Sequence, residues 1–231
     1  MIYFQLSLCF LPLIIAVVVF RLAGKLKIRH QLLAVLAGFI AIFPISAIQY
    51  LITQFLSPNL TFLNSTPVLQ ALLRSIFVYG LIEESFKLLC LLPLPHKNFS
   101  PLKFLLLSFV LGISTGCFES AVYFFDSLQQ NASVSAGAIV HPLYGKIILR
   151  IFTSDIIHTT CTGLCGIFLF SARNDKAKIS ALVFSILLHG FYDFFAGLPG
   201  ALRYFSIVVV LLTIAECRIK YVSLKKIDES E

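Results

Sequence analysis

Apolar residues run along this chain in blocks long enough to cross a bilayer as helices. Largely apolar stretches cover approximately 2–20, 31–56, 68–92, 103–126, 147–171, 178–198 and 201–217. A spanning helix needs ~20 such residues, and the second stretch is long enough to tilt or to kink at Pro44. The pattern predicts an all-α fold, a polytopic membrane helix bundle of about seven transmembrane helices, with residues 1–231 forming a single integral membrane domain. No internal repeat or low-complexity segment interrupts it. The sizeable loops are polar and include Gln129–Gly137, and Ile227–Glu231 reads as a frayed tail.

Composition agrees with this pattern. Of 231 residues, 58% are hydrophobic and 13% charged, against ~25% charged in a typical soluble domain, and the mean hydropathy is +0.94. Most of the surface therefore faces lipid. The net charge of +7 sits in short loops, where it signals topology rather than nucleic-acid binding. Arg21, Lys25, Lys27 and Arg29 follow the first stretch, with no basic residue before it. A cleavable signal peptide has the reverse arrangement, so this stretch reads as a retained first helix. Lys97, Lys103, Arg173, Lys176, Lys178, Arg218, Lys220, Lys225 and Lys226 mark the same side, whereas 57–67 and 127–145 contain no Lys or Arg before Lys146. The predicted orientation has the N-terminus outside and the C-terminus in the cytoplasm. The six cysteines (Cys9, Cys90, Cys117, Cys161, Cys165 and Cys217) lie in or beside apolar stretches. They read as buried thiols rather than a disulfide framework.

The chemistry lies in charges placed where charges are costly. The third stretch contains Glu83, Glu84 and Lys87, and the fourth Glu119. The fifth holds Arg150, Asp155 and His158, and the sixth His189 and Asp193. Each costs about 2.5–3.5 kcal/mol near the bilayer centre on insertion scales. Glu83 and Lys87 are four apart, as are His189 and Asp193, so each pair shares a helix face. At about 1.5 Å per residue the glutamate pair, His158 and His189 fall at mid-membrane, with Glu119 and Asp193 nearer the outer half. Four antiparallel helices could gather them around one polar cavity. Taken singly, each has a plainer role: an ion pair for Glu83 and Lys87, hydrogen-bonded packing for either histidine, close helix approach for Gly112, Gly116, Gly163 and Gly166. His158, Cys161 and Cys165 share a face and could in principle hold a transition metal, but ligands on one helix turn give poor tetrahedral geometry. The plain roles leave the combination unexplained.

The combination resembles a known family. Glu83-Glu84-Ser85-Phe86-Lys87 resembles the E-E-x-x-K motif of PrsW-type intramembrane proteases, and Glu119-Ser120-Ala121-Val122-Tyr123 their second motif. Arg150 through His158 to Gly163 is similar to the third, and His189-Gly190-Phe191-Tyr192-Asp193 to the fourth, H-G-x-Y-D. The motif-bearing core covers 68–198. One position departs: Thr115 stands where the family has an aromatic, with Phe118 nearby. The resemblance implies kinship with type II CAAX-processing proteases and a metal-dependent endopeptidase in a prokaryotic plasma membrane. Its substrate would be a membrane-protein or lipidated chain, its partner the lipid bilayer, with no nucleic acid. It further implies a divalent metal, Zn2+ by ligand type, held by His158, His189 and Glu119. Glu83 or Glu84 would be the general base, and the spacing of Glu83 to Lys87 favours Glu84. Asp193 would complete the site, orient His189 or, if protonated, stabilise an oxyanion, and Lys87 and Arg150 would keep the carboxylates ionised. A non-catalytic scaffold or chaperone with the same fold, an ion carrier and a haem protein using both histidines are the competing readings.

Overall fold

A computed structural model describes residues 2–56, 66–95, 99–130, 136–173 and 178–228. Lys97, Lys176 and most of the expected 57–67 loop lie outside the described residues. The described residues are helical, with no strand. In chain order they form α1 (Ile2–Leu22), α2 (Ile28–Leu51), α3 (Pro67–Arg74), α4 (Leu81–Leu91), α5 (Pro101–Gln130), α6 (Ala136–Phe152), α7 (Ser154–Arg173), α8 (Ile179–Ala196) and α9 (Phe205–Asp228). Five helical stretches are long and apolar enough to cross a membrane: Tyr3–Leu22, Ile28–Phe55, Pro101–Gln129, Tyr144–Arg173 and Ile179–Ala196. The third expected span is present as α3 and α4, which carry Arg74, Glu83, Glu84 and Lys87, and the seventh is present as α9, which carries Glu216, Arg218 and Lys220.

Three boundaries differ from the sequence reading. The third stretch is α3 and α4 joined through a wide π turn at Ser75–Gly80, one residue group before Glu83. A π turn inserted in an α-helix is often found at functional sites. The fifth stretch is broken at Thr153 into α6 and α7, so Arg150 does not share a helix with His158. Thr153 donates its hydroxyl to Leu149 O at 2.8 Å, and its N–H turns to Arg150 O at 3.2 Å, a tightening that ends the turn. The expected 127–145 loop is mostly helix: α5 runs to Gln130 and α6 starts at Ala136. Ala136 and Ala138 favour a helical start that the neighbouring Ser and Asn residues obscure in the sequence.

Helix α5 packs most extensively against α7 and α2, and α8 against α7, the π turn and α9. Side-chain size sets how close these approaches are. A Cβ on Gly112 would stand 2.5 Å from His158 O, so only glycine lets α5 lie against the histidine-bearing turn of α7. Likewise a Cβ on Gly190 would meet Ile76 Cα at 2.6 Å, which fixes the contact of α8 with the π turn. Thr115, at the departing motif position, is buried and bonds Leu111 O at 3.1 Å and Gly38 O at 3.4 Å. Phe118 instead stacks on Phe39 with centroids 4.4 Å apart. A small residue at 115 admits α2, and the aromatic contact moves to 118. Large exposed apolar side chains such as Phe43, Phe77, Phe152 and Leu211 cover the outside, as a lipid-facing surface requires.

Candidate active site

Four helices bring the predicted residues together. Glu83, Glu84 and Lys87 come from α4, Glu119 from α5, His158 from α7, and His189 and Asp193 from α8. Lys87 and Glu84 are fully buried, and His158 and His189 are 2% and 1% exposed. Such charges are tolerated in a bundle interior only when partnered, and here they are.

A buried relay runs through the middle of the cluster. Lys87 Nζ donates to Glu84 Oε1 at 2.8 Å and to His158 Nδ1 at 2.7 Å. An ammonium can only donate, so His158 Nδ1 accepts. His189 Nδ1 donates to the same Glu84 Oε1 at 2.6 Å. One ion pair on α4 thus holds both histidines by their Nδ1 atoms. Ser185 and Cys165 supply further donors to Glu84 Oε2, at 2.9 and 3.5 Å.

Both Nε2 atoms are left to the remaining carboxylates. His158 Nε2 makes a close contact with Glu119 Oε2. His189 Nε2 lies 3.5 Å from Glu83 Oε2 and 3.7 Å from Asp193 Oδ2. Glu83 Oε2 is 3.6 Å from Lys87 Nζ and 3.7 Å from His158 Nδ1, and Gln49 of α2 donates to its Oε1 at 3.0 Å. The two imidazoles stand nearly perpendicular, with centroids 4.9 Å apart. Glu119 and Asp193 side chains are each 27% exposed, so they form the open edge of the cluster.

Arg150 guards that edge. Its guanidinium lies 3.4 Å from Glu119 and 4.2 Å above the Tyr123 ring. It donates to Ser120 Oγ and Ser154 Oγ, each at 3.0 Å, and Ser120 in turn donates to buried Asp155 at 3.2 Å. Arg150 therefore braces α5 against α7 across the break at Thr153, rather than acting along the helix of His158. Asp155 belongs to this brace and not to the histidine cluster.

The donor set suits a divalent metal. Potential ligand atoms of Glu83, His158 and His189 lie within 4.8 Å of one another, and so do those of Glu84, Cys161 and His189. Glu119, in contact with His158 Nε2, offers a third donor besides the two histidines, alternative to Glu83, which lies 3.5 Å from His189 Nε2. Metal-bound histidines characteristically donate their other N–H to a carboxylate, as His189 does to Glu84. The second set is weaker: Glu84 is already saturated by Lys87, His189 and Ser185.

Lys87 approaches Glu84 more closely than Glu83, which reverses the preference drawn from helical spacing. Separations of three and four both place a carboxylate beside the lysine; contacts from α8 decide between them. Gln49, Ser185 and Ser120 were not foreseen. Gln49 is a polar residue in an apolar span, and Ser185 precedes His189 by one turn on the same face, so both left a trace in the sequence.

The sequence model of one protein family, described as PrsW family intramembrane metalloprotease, matches residues 27–215. No curated protein and no solved structure matches the chain.

Proposed function

Because the chain belongs to the PrsW family of intramembrane metalloproteases, we propose that it is a metal-dependent endopeptidase with Glu83 as general base and His158, His189 and Glu119 as metal ligands. The substrate would be a membrane protein or a lipidated chain, cut within or near the bilayer. The observation that carries this reading is the convergence of Glu83, His158 and His189, whose potential ligand atoms lie within 4.8 Å of one another, with Glu119 against His158. His189 donates from Nδ1 to Glu84 and so keeps a lone pair at Nε2; His158 accepts at Nδ1 from Lys87, so its Nε2 proton, which faces Glu119, would leave on metal binding.

A divalent metal, when bound, supplies a Lewis acid that polarises a carbonyl and makes water acidic near neutral pH. Zinc is the choice that two imidazoles and a carboxylate favour. The chain's own residues do the rest. Glu83 takes the proton of the attacking water and returns it to the leaving amine; Gln49 steadies the other oxygen of its carboxylate. Glu84 and Lys87 fix both ring orientations. Arg150 keeps Glu119 ionised and turned toward His158. Asp193, on the open edge, orients His189 or, if protonated, donates to the developing oxyanion.

The finer topology is part of this proposal. Seven spans, an outside N-terminus and a cytoplasmic C-terminus fit the gathering of Lys178, Lys220 and Ser223 at one end, where Lys178 bonds Ser223 and Lys220 bonds Ser180. A prokaryotic plasma membrane and kinship with type II CAAX-processing proteases extend it further.

The test is metal analysis beside cleavage. Purified wild type should hold about one divalent metal per chain. His158→Ala, His189→Ala and Glu119→Gln should lose it, and Glu83→Gln should keep it while losing turnover. Wild type that is free of metal and cleaves undiminished in strong chelator would overturn the reading.

A further inference from the structure

Far from the central cluster, at the end of the bundle where α1 leaves and α2 and α5 begin, lies a cavity of about 380 Å³ walled by like charges. Lys25, Lys27, Arg29, His30 and Lys103 line it together with Phe99, and among the described residues its lining includes no Asp or Glu. The cations come from three separate places: the α1–α2 turn, the first turn of α2 and the start of α5. Marking topology requires charges in a loop, but it does not require them to converge on a concavity.

The local backbone holds this arrangement at a cost. Lys25 has φ 52, a left-handed conformation that is unfavourable for an L residue with a Cβ. Arg29 Nε donates to His30 Nε2 at 3.2 Å, and the His30 ring packs on Phe99 with centroids 5.3 Å apart. No acidic residue stands in the first turn of α2, and its cap residue Lys27 offers no side-chain acceptor. Among the described residues lining the cavity, none neutralises these cations.

Depth identifies what would answer it. The spans Tyr3–Leu22, Ile28–Phe55 and Pro101–Gln129 all have an end here, so the cavity sits at the level of lipid headgroups. Close in the chain to its lining residues, Leu22, Ile28 and Leu102 are 74%, 46% and 45% exposed and apolar. Basic pockets between transmembrane helices are suited to anionic headgroups. We propose that this cavity binds the phosphate headgroup of an anionic phospholipid, whose acyl chains lie along Leu22, Ile28 and Leu102. A soluble phosphate shares the headgroup chemistry but gains nothing from that apolar flank. The site is independent of the catalytic reading.

The test uses the delipidated full chain in neutral detergent, with phosphatidylglycerol, phosphatidylcholine and inorganic phosphate as probes and native mass spectrometry as the readout. Phosphatidylglycerol should bind at least about tenfold more tightly than phosphatidylcholine. The Lys27→Gln/Arg29→Gln/Lys103→Gln variant should lose that preference, at about fivefold per cation. An Arg218→Gln/Lys220→Gln variant, with charge removed elsewhere on the same end, should keep it. If the triple variant does not fold, Lys103→Gln alone should still weaken phosphatidylglycerol binding about fivefold. Equal retention of the two lipids by wild type would overturn the proposal. So would unchanged affinity in a folded pocket variant, or equal loss in the control. Inorganic phosphate displacing the lipid as effectively as free phosphatidylglycerol does would overturn the lipid as its source.

Discussion

The centre of the bundle and its basic end both concentrate charge, and they treat it in opposite ways. In the centre, Lys87 meets Glu84 and His158, Arg150 meets Glu119, and Glu84 collects donors from three helices. At the basic end Lys25, Lys27, Arg29 and Lys103 surround a cavity with no carboxylate in its wall among the described residues. The difference follows from solvent. A charge in the interior of a membrane bundle is stranded unless another residue compensates it. A charge at the headgroup level has water, salt and lipid phosphate within reach, so it needs no partner from the chain. Substitutions in the centre should therefore remove function or stability outright, and those at the end should hardly register in a lipid-free protein.

The largest effect is expected at Glu83. Glu83→Gln keeps size and hydrogen bonding while removing the basic oxygen, and turnover should fall by about 10²–10⁴-fold with the thermal midpoint close to wild type. Single-turnover cleavage beside thermal unfolding measures both. Wild-type cleavage by this variant would take the base role away from Glu83.

Glu84→Gln should act in the other currency. It leaves Lys87 buried with only the 3.6 Å contact to Glu83 as an ion pair, and breaking a buried pair costs roughly 3–5 kcal/mol. Thermal unfolding in detergent should show the loss. Adding Lys87→Met should recover part of it, since the stranded charge goes with the lysine. A Glu84→Gln protein as stable as wild type would show that the central pairing is not obligatory.

Gly112→Ala tests the packing that holds the site together. The new Cβ would press on His158 O, and overpacking of this kind costs about 1–3 kcal/mol. Stability and metal content should fall together; a fall in stability alone would separate the helix contact from the site.

The smallest effect is expected at the basic end. Lys27→Gln in neutral detergent should shift stability by less than about 0.5 kcal/mol and leave cleavage unchanged. A loss as large as that of Glu84→Gln would remove the contrast between the two regions.

The sequence by itself determined that this is an all-helical membrane chain and which helices carry charges inside their apolar runs. Hydrophobic run length is a local property, and a charge inside such a run is conspicuous wherever the helix is placed. Motif order likewise named Glu83, Glu84, Lys87, Glu119, His158, His189 and Asp193 before their contacts were visible. What the sequence left open were choices between neighbours on one turn. Lys87 could reach either glutamate, and Ser185 and His189 of α8 make Glu84 its partner. Arg150 read as part of the His158 helix until the Thr153 break turned it toward Glu119 and Ser120. Gln49 and the basic cavity depend on segments far apart in the chain. Such choices belong to tertiary structure, because a side chain settles on the rotamer that its neighbours from other helices satisfy, and helical periodicity only says which neighbours on its own helix are within reach.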